Sequence, residues 1–336
     1  QASVKLKNGV LVPMGGGKDS AITLELLKKS KADIKCFGLN PTEAALKIMK
    51  IAGGRKPIIV KREIDEKLLQ LNRKGFLNGH TPFSAYLAFL SFLVAVIFGQ
   101  KYIALSNERS SNEGNMKYLG KIINHQWSKS FEFEKKFREY SKKYLTSGIE
   151  YFSFLRPLYE IQIAKLFSKY PKYFLAFLSC NEAYKTASGT KRPTIASRLY
   201  EARKWCGKCP KCLFVFIILY PFLKEKYLLK IFRKNLFEDK NLLPIMQRLM
   251  GERGFKPFEC VGTKKENLSD FYLSWQKNRE RVSIKLPFLL DYFQKKILPK
   301  YLSSEKELKK ILNGWNNQHN LPENFKKILQ KEISKG

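Results

Sequence analysis

Acidic side chains are scarce in this chain: 29 Asp and Glu stand against 63 Lys and Arg in 336 residues, a formal net charge of +34. Such an excess of cations favours a polyanionic partner, whether nucleic acid, a nucleotide or an anionic membrane face. The cations are nevertheless spread along the whole length with no compact basic arm, so lysine-rich solvated faces explain the excess equally well. Histidine is rarer still, at three residues, which narrows the side chains able to carry protons near neutral pH. No apolar run exceeds the lower limit of a membrane span. The longest, Phe83 to Gly99, leads directly into the strand-like KYIALSNE and reads as a buried helix feeding a buried strand, with no membrane insertion. Repeats and low-complexity blocks are missing too, which excludes arrays. The chain begins QASV, with no initiator Met and no charged-then-apolar leader, as expected of a cytoplasmic protein truncated at its N-terminus. What is plentiful is apolar: 44% hydrophobic and 13% aromatic residues exclude a disordered tail.

Four strand candidates alternate with helical segments early in the chain: VLVPM (10–14), IKCFGLN (34–40), KPIIVKREI (56–64) and KYIALSNE (101–108). Short apolar strands separated by helices predict βαβ units, hence an α/β fold with a parallel sheet and flanking helices. Right-handed crossovers then line up the loops GGGKDS, LNPTE and SNERSSNEGN on one edge of the sheet. FEFEKKFREYSKKYL reads as a helix, and YFSFLRPLYEIQIAKLFSKYP as an extended piece leading into another. Beyond residue 224 the pattern is amphipathic and lysine-rich. The expected organisation is an ATP-binding α/β unit over 1–130, a helical and cysteine-rich segment over 131–225 packed on it, and a mainly helical C-terminal region over 226–336.

Gly15, Gly16, Gly17, Lys18, Asp19 and Ser20 lie between the first strand and a helix, where backbone N–H groups and a helix N-terminus would converge on a phosphate. Ser20 can cap the helix or donate to a phosphate oxygen. Lys18 is either a phosphate contact or a solvated side chain. Asp19 beside phosphates needs an intervening cation, for which Mg²⁺ is the obvious choice. The spacing fits neither a Walker loop nor GxGxxG. It resembles the Ser-Gly-Gly-x-Asp-Ser loop of the PP-loop ATP pyrophosphatases (adenine nucleotide alpha hydrolase-like), with Gly15 in place of the usual Ser. That resemblance implies ATP cleavage between the α and β phosphates and adenylation of a substrate oxygen.

Of six cysteines, Cys206, Cys209 and Cys212 form Cys-Gly-Lys-Cys-Pro-Lys-Cys, and Cys180 lies upstream. Together they can close a tetrahedral Cys₄ site for structural Zn²⁺; the alternative is an iron–sulfur cluster on the three closely spaced cysteines. Cys36 is expected to be a free buried thiol, and Cys260 is open to the same reading.

Five further segments in order narrow the likeness: LNGHTPFSAY (77–86), SNERSSNEGN (106–115), NHQWSKSFEFE (124–134), WCGKCPKCLFVF (205–216) and KPFECVGT (256–263). With the glycine loop they resemble the UDP-N-acetyl-α-D-muramoyl-L-alanyl-L-glutamate epimerase family, along most of the chain. The resemblance implies an ATP- and Mg²⁺-dependent inversion of the terminal L-glutamate of a UDP-linked muramoyl dipeptide in peptidoglycan precursor synthesis, releasing AMP and pyrophosphate. Under it Gly15, Gly16, Gly17 and Ser20 would hold ATP phosphates and Asp19 would bind Mg²⁺. Glu108 and Glu113 would hold metal or ribose, or merely cap a turn. His80 and His125 would carry protons or serve structure, Lys129 would bind an anionic group, and Cys260 would be a second acid/base; His319 has no assigned role. Two other readings stay open: a PP-loop tRNA-modifying enzyme of the thiolase or lysidine synthase type, and a non-catalytic zinc-containing protein that binds nucleotide or nucleic acid.

Overall fold

The computed structural model describes residues 4–54, 56–76, 82–184, 204–280, 285–301 and 304–335. Five parallel strands form its central sheet: β1 (Lys7–Pro13), β2 (Asp33–Leu39), β3 (Ile58–Val60), β4 (Gln100–Leu105) and β7 (Glu150–Ser153), in the order β3-β2-β1-β4-β7. A small antiparallel hairpin, β5 (Met116–Tyr118) and β6 (Lys121–Ile123), stands apart from it; its turn uses Leu119 and Gly120, both at positive φ.

Side-chain alternation along the strands decides how the sheet is covered. Val10 and Val12 of β1, Ala104 of β4 and Phe152 of β7 join one core, while Leu11, Ile103, Leu105 and Tyr151 join the other. On the second face lie α4 (Phe83–Ile97) and α5 (Phe131–Tyr144), which bring Ala88, Phe92, Phe133 and Phe137 to it. The first face carries α1 (Lys18–Leu27) and α6 (Glu160–Ser168), and behind them most of the C-terminal half. Both faces being buried is why β1 reads as a continuous apolar run. Two further helices, α2 (Glu43–Ile51) and α3 (Glu66–Arg73), follow β2 and β3.

Beyond the sheet come α7 (Asn181–Tyr184), α8 (Pro210–Leu219), α9 (Glu225–Phe232), α10 (Leu243–Met250), α11 (Lys264–Arg279), α12 (Phe288–Tyr292), α13 (Ser304–Leu312) and α14 (Glu323–Ser334). As expected, the described residues after 224 contain no strand. The core of this half centres on α8, whose side chains are buried from Lys211 to Leu219. Thr263 and Glu266 form a capping box that fixes the start of α11.

Three expected strands are found close to their predicted positions. The fourth, 56–64, shortens to Ile58–Val60 because it is an edge strand with one partner. The extended piece near 151 is β7, so the sheet continues past residue 130. Phe83 to Gly99 yields the fifteen-residue α4, and among the described residues no helix is long and apolar enough to cross a membrane.

Chain order positions the site. From β1 the chain moves outward to β2 and β3, then returns to place β4 on the other side of β1. The connections leaving β1 and β4 therefore diverge, and a crevice opens at the carboxyl ends of these two strands. Residues 14–17 after β1 and 106–115 after β4 line it.

Candidate active site

Backbone geometry in the glycine loop depends on Gly16. Its φ is +87°, and a Cβ there would lie 2.7 Å from the Ala45 nitrogen at the start of α2. Leu178 clamps the loop from the C-terminal half, donating its N–H to the Gly16 carbonyl at 2.9 Å. Gly15 has open space beside it, and Gly17 starts α1 with no side-chain cap, which leaves the helix N-terminus available to an anion. Ser20 is turned inward and donates to the Gly17 carbonyl at 3.0 Å.

Lys18 is not a solvated side chain. It is 2% exposed, with its ammonium against the carboxylates of Asp19 and of Glu160 at the first turn of α6. Burial opposes its charge, but Asp19 and Glu160 outweigh burial and hold it above the ordinary lysine range. Glu160, 1% exposed, shows the opposite balance. Burial, with Asp19 and Glu108 nearby, pushes its carboxyl up to about 8 against the pull of Lys18. Further in, Glu266 accepts the Glu160 N–H at 2.8 Å, and Asp270 lies one turn along α11. Asp270 is fully buried, and neither carboxylate oxygen has a hydrogen-bond partner among the described residues. Burial, then Glu266 and Glu160, raise it well above the carboxylate range.

Arg156 organises the other wall of the crevice. Fully buried, it donates through Nη1 to the Glu108 carbonyl at 2.9 Å and the Ser111 hydroxyl at 2.6 Å. Nη2 reaches the Lys129 carbonyl at 2.5 Å, Ser153 Oγ at 3.1 Å and Glu134 at 3.3 Å. One guanidinium thus ties the β4 loop, the segment before α5, α5 itself and the end of β7. The Glu108 side chain, nearly buried, accepts from Ser110 Oγ at 3.1 Å, while Glu113 turns away to Lys256 at 3.4 Å.

Lys129 and Cys260 meet, with Nζ donating to Sγ at 3.2 Å and Gln126 Oε1 lying 2.8 Å from the sulfur. The nearby Cys260 sulfur, more than any other group, holds Lys129 above its usual range against the effect of burial; Glu108 and Asp19 add to it. Close by, His125 Nδ1 lies 2.5 Å from Asn115 Oδ1. Because the Asn115 amide nitrogen donates to the Pro257 carbonyl, its oxygen is the acceptor and Nδ1 carries the proton. Burial and the charges of Lys129 and Lys256 lower the His125 pKa, which favours the neutral ring. His80 lies outside the described residues. His319 accepts from the Leu321 N–H and packs edge-on to Trp315, a structural role. Burial pushes the Cys36 thiol up to about 11, as suits an inert core cysteine.

The four-cysteine cluster adjoins these groups through Lys211, which lies between Cys209 and Cys212 and bonds the Cys260 carbonyl and the Glu259 carboxylate. Sγ atoms of Cys180, Cys206, Cys209 and Cys212 all fall within 4.8 Å of one another, with Cys180 to Cys209 at 3.8 Å and Cys206 to Cys212 at 3.6 Å. A tetrahedral ion with Zn–S bonds of about 2.3 Å needs S–S edges of about 3.8 Å. The donor set therefore suits one shared ion better than a cluster whose irons separate the thiolates. Gly207, at φ +67°, makes the turn that lets Cys206 and Cys212 face each other, and Pro210 starts α8 between Cys209 and Cys212.

Arg156, Glu160, Gln126, Glu266 and Asp270 are absent from the residues expected from sequence. A signal existed for two of them: Arg156 and Glu160 interrupt the apolar run YFSFLRPLYEIQIA, where ionisable side chains must find buried partners.

Residues 1–154 match the MurL N-terminal domain and residues 176–295 the MurL C-terminal domain. The chain is similar to proteins named UDP-N-acetyl-alpha-D-muramoyl-L-alanyl-L-glutamate epimerase from three bacteria. It is 36% identical to that of Micromonospora sp. over 258 residues, 77% of this chain and 55% of the relative. It is 36% identical to that of Salinispora tropica (77% and 54%) and 34% identical to that of Xanthomonas oryzae pv. oryzae (78% and 56%). The chain spans about half the length of these curated relatives.

Proposed function

The chain belongs to the MurL family, and from that membership we propose that it inverts the terminal L-glutamate of UDP-N-acetylmuramoyl-L-alanyl-L-glutamate, using ATP to form a carboxyl adenylate and releasing AMP and pyrophosphate. The observation that carries the ATP step is the glycine loop at the strand switch point, with an uncapped helix N-terminus at its end and Asp19 beside it. The loop's likeness to PP-loop pyrophosphatases supports the same reading.

The chemistry gives ATP a reason. Beside a free carboxylate, a Cα–H is hardly acidic, because its removal would set a second negative charge next to the first. Adenylation removes the carboxylate charge and leaves an acyl phosphate whose enolate can be stabilised. A base takes the Cα proton, a proton returns on the opposite face, and water releases AMP. The loop backbone would hold the phosphates. Asp19 and Glu108, an all-oxygen set suited to a hard cation, would hold Mg²⁺, which would supply charge neutralisation at the phosphates. Lys18 would keep Asp19 and Glu160 from repelling one another. Cys180, Cys206, Cys209 and Cys212 would hold a structural Zn²⁺ that ties residue 180 to the start of α8.

Pyrophosphate release with Mg-ATP tests this, comparing the peptide nucleotide, bulk tRNA and no substrate, with Asp19→Asn as control. Release only with the peptide nucleotide, and D-glutamate by chiral analysis, is expected. Release only with tRNA would replace this reading with a tRNA-modifying enzyme, to which the net charge of +34 also lends itself. No release in any arm would leave a nucleotide-binding protein without turnover.

A further inference from the structure

Cys260 and Lys129 are 131 positions apart in sequence and meet at the crevice, beside groups that the proposed ATP chemistry uses. The sulfur is half-buried, so it is within reach of a substrate while partly shielded from bulk water. Its neighbours suit both protonation states. Lys129 donates to it, stabilising a thiolate, and the Gln126 amide presents an acceptor to the thiol and, turned over, a donor to the thiolate. Lys211 fixes the backbone by donating from Nζ to the Cys260 carbonyl, and its N–H binds the Glu259 carboxylate at 2.9 Å. The charged groups around the pair are Asp19 from the first turn of α1, Glu108 from the loop after β4, Lys211 from α8, and Lys256 and Glu259 from its own segment. His125 is less suited to the same task, since Asn115 occupies its Nδ1 proton and two lysines disfavour its charged form.

We propose that Cys260 is the base that removes the glutamate Cα proton, with Lys129 as the positioning residue whose ammonium, donating to the sulfur, would stabilise the thiolate. The assignment rests on the epimerase reading. In the step, the Cα–H bond breaks and an S–H bond forms, while the electron pair moves into the activated acyl group as an enolate. Water, directly or through a second side chain, returns a proton to the opposite face, and the thiol gives its proton back to solvent.

Two measurements on the full chain test it. In D₂O with Mg-ATP and the peptide nucleotide, Cys260→Ser is expected to lower Cα deuterium incorporation about 100-fold while pyrophosphate release falls only a few-fold. Exchange at the wild-type rate, or a parallel loss of exchange and pyrophosphate release in a folded variant, would overturn the assignment. Wild-type exchange without pyrophosphate release would instead remove the adenylation step and leave Cys260 to be judged on exchange alone; neither activity in the wild type would sink both. Separately, without substrate, iodoacetamide labelling of Cys260 followed by mass spectrometry should slow about tenfold in Lys129→Met and stay near wild type in Lys129→Arg. Equal labelling in Lys129→Met and wild type would show that Lys129 does not hold the thiolate, and would overturn its positioning role.

Discussion

Replacing Glu160 with Gln should change how stability depends on pH. An ordinary glutamate titrates at 4.5, and in the folded protein Glu160 is pushed up to about 8. Below 4.5 both folded and unfolded chains hold the proton, and the stability linked to it is fully present. As pH rises toward 8, the unfolded chain releases a proton that the folded chain keeps, so the folded state progressively loses this advantage. At about 1.4 kcal/mol per pH unit the full span is on the order of 5 kcal/mol, most of it falling between about pH 5 and about pH 8. Burial leaves little solvent screening to reduce it. Glu259, Glu266 and Asp270 are raised too and keep part of the slope in both proteins, which is why the difference is the quantity to measure. Urea unfolding of wild type and Glu160→Gln across this range, without magnesium, should show the variant gaining several kcal/mol relative to wild type as pH rises. Parallel curves would refute the claim that burial raises the Glu160 carboxyl in the folded protein against the pull of Lys18.

Other outcomes follow from single contacts. Arg156→Met strands a buried Glu134 carboxylate and should cost about 3–5 kcal/mol in denaturant unfolding; a loss under about 1 kcal/mol would mean the guanidinium is dispensable. Gly16→Ala meets both the positive φ and the Ala45 nitrogen, so it should destabilise by about 1–3 kcal/mol and depress pyrophosphate release; unaltered release would show that the loop does not need this close approach. Metal analysis should find about one zinc per chain, with chelation lowering the melting temperature. An iron–sulfur absorption band in freshly purified protein would refute zinc.

The parts of this molecule that were legible in sequence are the local ones. β1, β2 and β4 announce themselves as short apolar runs, the glycine loop sits between a strand and a helix, and Cys206, Cys209 and Cys212 are evenly spaced. β7 was visible only as an extended piece, because its four residues are a strand by virtue of pairing with β4. The ion pair of Lys18 with Glu160 spans 142 positions, and the capping of the Glu160 N–H by Glu266 spans 106. No periodicity encodes such distances. Lys18 shows the cost most directly: a lysine in a glycine loop suggests solvent or phosphate, and only the arrival of α6 makes it a buried counter-ion.

The strand order also bears on how the chain can fold. β1 sits at the centre but cannot complete its pairing until β4 is made, and β4 waits for β7, which ends only at residue 153. Arg156, three residues later, locks the β4 loop, and the face of the sheet bearing Val10, Val12 and Phe152 then waits for helices still further along. High contact order of this kind makes folding slow and exposes apolar strands meanwhile. A fragment ending near residue 130 would carry the glycine loop and α1 yet leave one side of β4 unpaired and the first sheet face without α6 and the helices behind it, so it should accumulate as aggregate, and the phosphate cradle should form only when the C-terminal half is present to close over it.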